Sequence, residues 1–413
     1  MTTATMGASF RRARRRSLAA SLAACALTLL GCSPPAAPAG GPAAQTSAPA
    51  EDWSGFGDLE NVLNWTPEQQ LRGYRHMDRI HPTRPVRASA EPFPLPSRPR
   101  DLASLRYEVG GSTFDIEGFM AHNNVVGLLV VQGGEIVLES YARGNTPETR
   151  WYSFSVAKSV VSMLIGAAIA DGYIASIDAP VTDYLPLMKG SAYDGVTLRH
   201  ALQMASGVQW DEDYADPTSD VASTGGSALE RLRYLRHKPR AAPPGALFNY
   251  STAETNLLGA VLRAAVGSNL SSYLEAKIWQ PFGMEHDAHW LLLSEGGGEH
   301  GGCCLSATLR DFGRIGLFAL RAGRLRDGTR VLPEGWMAES TSPSPANARY
   351  GYLWWLRANG VYSAVGIYGQ AIQIDPANEL IIVTHSAWPR ATGREFSQHR
   401  TALFAAITAA LSR

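Results

Sequence analysis

Apolar residues recur along this chain in two rhythms, and each rhythm marks a different kind of element. From Val125 to Gln132 the run VVGLLVVQ is apolar on both faces, as a central strand would be. Gly133-Gly134 separates it from Glu135 to Tyr141 (EIVLESY), and that spacing predicts a hairpin. After Ser155 the run VAKSVVSMLIGAAIADGY repeats its apolar residues at helical spacing and stops at Asp-Gly. It is apolar nearly all round, which predicts a helix buried in the core. Further strands are predicted at Tyr352 to Leu356, Gln370 to Ile374 and Leu380 to His385, and a final helix from about Ser397 to Leu411.

The order of these elements predicts an α/β (α+β) fold, with an antiparallel sheet flanked by helices. Residues 99–175 and 301–413 form its two parts. Residues 176–300, rich in short helices and breakers, form a helical insertion domain between them. Residues 53–98 are polar, with a helix expected at Pro67 to Arg79 and a Pro-rich connector after it, and are expected to wrap the main domain. No internal repeat is present.

Charge narrows the function. Lys plus Arg and Asp plus Glu number 37 each among 413 residues, so neither a nucleic-acid-binding face nor an acidic tail is expected. Arg does cluster in the stretch from Phe10 to Cys32, where a basic segment precedes an apolar run too short to span a bilayer permanently. That is the layout of an export signal, residues 1–32. Its end, Leu29-Leu30-Gly31-Cys32, resembles a bacterial lipobox, which implies lipidation at Cys32; a plain cleaved signal is the alternative. Arg15-Arg16-Ser17-Leu18 leaves both the general and the twin-arginine export route open. Residues 33–52, mostly Pro, Ala, Gly and Ser, are expected to be a disordered tether. The expected location is the bacterial envelope, periplasm or outer membrane, with the membrane engaged through the lipidated terminus. The adjacent Cys303 and Cys304 read as small buried residues, because neighbouring cysteines bridge only with strain. Zinc-ligand spacing is absent, and no metal or other cofactor is expected.

The candidate chemistry sits in Trp151 to Ser159, WYSFSVAKS. Three positions separate Ser155 from Lys158, so on a helix they share a face. A serine hydroxyl needs a base within reach, and a lysine serves only when burial disfavours its ammonium. Val156, Ala157, Val160 and Val161 supply that apolar setting. The two residues are common ones, and the pair alone carries little weight. A second box, Pro243 to Gly259 (PPGALFNYSTAETNLLG), brings Tyr250 into the same frame.

With Ser155, Lys158 and Tyr250-Ser251-Thr252 together, the chain resembles the class C β-lactamase and penicillin-binding-protein superfamily of serine hydrolases. The resemblance implies a β-lactamase-like fold, with Tyr250 working beside Lys158 as general base, held as phenolate by the nearby ammonium. Thr252 departs from the Asn common there. In the third box the residues matching Lys-Thr-Gly are Ala364-Val365-Gly366, so the lysine that receives a β-lactam carboxylate is missing. Gly366 lets substrate approach the strand closely, and the oxyanion hole is expected at the backbone N–H groups of Ser155 and Ile367. The stretches at 64–84, 210–220, 301–318, 350–355, 366–370 and 386–389 resemble 6-aminohexanoate-dimer hydrolases and related carboxylesterases. That likeness implies a substrate-binding role for Tyr214. It also places an acid that raises amide activity near Gly225, where this chain has none, so ester hydrolysis is the more secure expectation.

The remaining features read blandly. Asp211, Glu212, Asp213 and Asp216 form a solvated loop near the site, without calcium-loop spacing. Glu295 to Gly302 is a flexible turn with a structural His300, and Trp354 and Trp355 belong to the core, one of them lining the acyl pocket. The expected reaction is acyl transfer from a linear ester or amide through Ser155. A β-lactamase or D,D-peptidase and a non-catalytic envelope binding protein remain as alternatives.

Overall fold

The computed structural model describes residues 52–412. In chain order the strands are β1 (Thr83–Val86), β2 (Tyr107–Val109), β3 (Ser112–Phe114), β4 (Val125–Gln132), β5 (Glu135–Tyr141), β6 (Arg150–Tyr152), β7 (Ala288–Leu291), β8 (Leu305–Thr308), β9 (Trp355–Leu356), β10 (Tyr362–Val365), β11 (Ala371–Asp375) and β12 (Leu380–Ser386). Six of them form an antiparallel sheet in the order β5-β4-β12-β11-β10-β9. Gly133 and Gly134, both at positive φ, make the β4–β5 turn, a backbone region that costs glycine least. A smaller sheet, β1-β7-β8-β6, ends on the strand that leads into Ser155.

The double-sided apolarity of β4 has a direct cause. Leu129 and Val131 enter one core with Phe312 and Ile315 of the helix Leu309–Leu320. Leu128 and Val130 enter the other with Leu403, Phe404 and Ile407 of the helix Arg394–Leu411. Each such side chain is fully buried, worth roughly 1.5–3 kcal/mol apiece over exposure. The sheet is therefore a sandwiched middle layer. On the same side as Phe312, the helix Val156–Ala170 has its first thirteen residues buried, Lys158 among them.

Several boundaries differ from the sequence reading. The helix expected from Pro67 to Arg79 is two, Pro67–Gly73 and Met77–Ile80, because the chain turns between them to bury Tyr74. The strand expected at Tyr352 to Leu356 shrinks to β9, since Leu353 adopts a left-handed φ of 63°. Within 176–300, Ala288–Leu291 is a strand, pairing with β1 and β8. The last helix begins at Arg394, three residues before the expected Ser397.

Glu295 to Gly302 is anchored rather than free. Glu299 is buried and paired with Arg84 and Arg263. Cys303 and Cys304, expected as reduced residues, form a vicinal disulfide with Cα atoms 3.6 Å apart. An extended chain sends neighbouring side chains to opposite faces, and Cys304, at φ 88°, is far from extended. The expected export signal, Cys32 and the expected tether up to residue 51 lie outside the described residues. Among the described residues no helix is long and apolar enough to cross a membrane.

Candidate active site

Ser155 stands where β6 ends and the buried helix Val156–Ala170 begins, 8% exposed at the N-cap position. A helix N-terminus favours negative charge, which is what an attacked carbonyl develops beside this serine. Lys158 follows one turn later and is 1% exposed. Its Nζ donates to Ser155 Oγ at 3.0 Å, to Thr252 Oγ1 at 3.0 Å and to the Gly302 carbonyl at 2.6 Å. Burial lowers the lysine from 10.5 to about 8, with Glu212 pulling the other way. As the neutral amine it keeps two N–H bonds, for Thr252 and Gly302, and turns its lone pair on Ser155. Such an amine can accept the serine proton.

Tyr250 precedes the helix Thr252–Val266, whose N-cap Ser251 accepts from the Glu254 N–H. Its ring lies 5.3 Å from Lys158 Nζ and stacks on Trp355 at 5.6 Å, and Ser155 is among the groups that act on its hydroxyl. Burial, then Glu212, push this phenol above its usual range. The expectation of a resting phenolate therefore fails: burial and then the Glu212 carboxylate keep the phenol protonated. Tyr250 remains a proton donor at neutral pH.

Glu212 is the residue the sequence reading misplaced. It is not a solvated loop carboxylate. It accepts from the Thr252 N–H at 2.8 Å, from the Thr252 hydroxyl, from Tyr214 OH at 2.6 Å and from the Trp210 indole. The only signal in the chain was its place two residues before Tyr214, which composition cannot tell from an ordinary acidic loop.

The third box lies at the end of β10. A Cβ on Gly366 would meet the Ser153 carbonyl at 2.5 Å and Phe154 Cβ at 3.1 Å. Only glycine lets this strand pass so close to the segment carrying Ser155. Ile367 follows directly, and among the described residues neither its N–H nor that of Ser155 has a protein acceptor. Ala364 is buried in the core and lines neither pocket beside Ser155.

Two pockets meet at Ser155 and Ile367. The smaller, ≈ 600 Å³, is walled by Leu59, Val62, Tyr152, Phe154, His300 and Thr224. The larger, ≈ 2110 Å³, runs past Tyr250, Trp355 and Gly366 to Arg394 and Arg400. Tyr214 borders both. Thr224 reaches the smaller pocket, while its neighbour Gly225 brings no side chain to it. His300 is held neutral, well below its usual range, by burial and then by the charges of Arg231 and Lys158. Trp354 is core and Trp355 lines the larger cleft. At the far wall of that cleft Arg400 is buried over the Trp388 ring at 5.0 Å, its Nη1 without a hydrogen-bond partner. Burial and Arg357 lower it to about 9. Sequence reading passed over Arg400, because a helical Arg gives no hint of facing a cleft.

Comparison with known proteins bears on the family and the fold. Residues 115–406 match the sequence model of the family described as Beta-lactamase. The chain is 29% identical over 324 residues to the 6-aminohexanoate-dimer hydrolase of Paenarthrobacter ureafaciens, covering 72% of this chain and 81% of that protein. It is 34% identical over 142 residues to Esterase EstB of Burkholderia gladioli, 32% of this chain and 36% of the esterase. In fold it is similar to a solved structure named "Putative 6-aminohexanoate-dimer hydrolase from Bacillus anthracis". That likeness has a TM-score of 0.72 at 22% identity and covers 83% of this chain and 94% of the other.

Proposed function

The chain belongs to the β-lactamase family of serine hydrolases, and we propose that it opens linear ester and amide bonds through an acyl-enzyme on Ser155. The observation that carries this reading is the seat of Lys158, a buried amine 3.0 Å from the serine oxygen with its other two partners fixed. In the first step Ser155 Oγ bonds to the carbonyl carbon, and its proton passes to the Lys158 amine. The carbonyl oxygen takes the electron pair, facing the Ser155 and Ile367 N–H groups. As the bond to the alcohol or amine breaks, the Tyr250 hydroxyl protonates the leaving group, and the proton held on Lys158 restores the phenol. Water then attacks the acyl-enzyme by the same route, returning Ser155. The names of the two relatives, an amide hydrolase and an esterase, support this substrate class. Glycine at 225 favours the ester, which has the better leaving group.

Ser155→Ala is expected to abolish the burst of p-nitrophenol from p-nitrophenyl butyrate; a burst that persists overturns the reading. A second reading, β-lactam or D-Ala-peptide turnover, has one observation in its favour. Arg400, whose Nη1 has no hydrogen-bond partner among the described residues, offers a substrate carboxylate in the larger cleft the charge that Ala364 lacks. Nitrocefin turnover equal to ester turnover would decide for it.

A further inference from the structure

The fourfold-bonded carboxylate beside the site does more than close a loop. We infer that Glu212 is a positioning residue for the reaction: through the Thr252 hydroxyl it holds the Lys158 amine on Ser155, and through Tyr214 it ties that amine to the wall of the substrate cleft. This rests on Ser155 and Lys158 being the nucleophile and its base.

The chain of contacts is continuous. Lys158 Nζ donates to Thr252 Oγ1 at 3.0 Å, so that oxygen is already an acceptor and its own proton must point elsewhere. It points at Glu212 Oε1. The other carboxylate oxygen accepts the Thr252 N–H at 2.8 Å, so the acid grips the residue by backbone and side chain together. Tyr214 OH adds its bond to Oε1 at 2.6 Å, and Tyr214 borders both pockets that meet at Ser155.

Charge makes the arrangement matter. The titratable groups facing Lys158 are Tyr250 from the second box, His300 from the loop before Gly302, and Glu212. The first two are held neutral, and Glu212 is the acid among them. Its charge opposes the burial that would otherwise drive the lysine lower still. Glu212 therefore sets how much free amine exists at a given pH, and the Thr252 bridge sets where that amine points.

The test is the pH profile of kcat/KM for p-nitrophenyl butyrate in the intact protein carrying Glu212→Gln. Loss of the negative charge is expected to move the acid limb down by about half a unit to one unit. Loss of the grip is expected to lower kcat by roughly tenfold or more. A fall in kcat with the acid limb unmoved would mean a structural role alone, and an unchanged profile with unchanged kcat would equally overturn the inference. Thr252→Val cuts the bridge while leaving the acid, and is expected to lower kcat likewise; Thr252→Ser, which keeps the hydroxyl, is expected to restore wild-type kcat. That pair carries the test if Glu212→Gln does not fold. A Ser155→Ala protein that still gives a burst would sink the underlying reading instead, so the two failures are distinct.

Discussion

The rings of Phe154 and Tyr368 meet at 5.2 Å, and both residues hold left-handed backbones, at φ 45° and 57°. Phe154 immediately precedes Ser155 and Tyr368 immediately follows Ile367, so the two strained residues flank the two N–H groups proposed to face an oxyanion. Each such backbone costs of order 1–3 kcal/mol and persists only where packing over-determines it. The packing here comes from Tyr74, whose ring lies 5.1 Å from Phe154 and 5.9 Å from Tyr368. The segment before the main domain thus braces the site from behind.

Tyr74→Ala is accordingly expected to lower kcat for p-nitrophenyl butyrate by roughly tenfold or more with little change in KM. It should also destabilise the fold by about 3–5 kcal/mol, read from urea unfolding. Tyr74→Phe separates ring from hydroxyl. The Tyr74 OH is buried without a partner, so its removal is expected to leave kcat unchanged and to hold or raise the melting temperature.

Gly366→Ala places a methyl group 2.5 Å from the Ser153 carbonyl, a contact that forces backbone to move. The strand end carrying Ile367 is expected to shift away from Ser155. Losing one oxyanion donor lowers kcat by about 10²–10³, and stopped-flow acylation rates should fall by that order while the far-ultraviolet circular dichroism is retained. Acylation at the wild-type rate would remove Ile367 from the site.

The lysine gives a pH dependence with a defined sign. Its amine must be neutral to accept the serine proton, so kcat/KM is expected to rise with pH through a midpoint near 8 and level off above it. For stability the folded value, about 8, lies below the unfolded 10.5, so between them the unfolded chain binds more protons. The penalty of burying this ammonium is full below about pH 8 and is relieved as pH rises toward 10.5. Lys158→Met, inactive, is therefore expected to gain stability over wild type most at pH 7, with the gain shrinking by pH 10 in thermal melts.

Much of this protein was legible in its residue pattern. An unbroken apolar run placed β4 as a central strand, because a strand buried on both faces carries no polar side. Helical spacing placed Lys158 beside Ser155, because three positions fix a shared face. Tyr250, matched by resemblance, arrives beside both. Pattern failed where the reason was not local. Leu353 broke a strand through its backbone conformation, and Tyr74 broke a helix because a distant aromatic cluster takes its ring.

The amino-acid sequence by itself determined the layers of the fold and set the proposed nucleophile and base on one helix face, since periodicity and spacing act over a few residues. Only the tertiary structure decided the protonation and the surroundings of that pair. Glu212 looks like any acid in a loop until the chain brings it onto Thr252, and Arg400 looks like any helical arginine until the cleft opens onto it. Electric fields and burial sum over everything nearby in space, and most of those neighbours are far away along the chain.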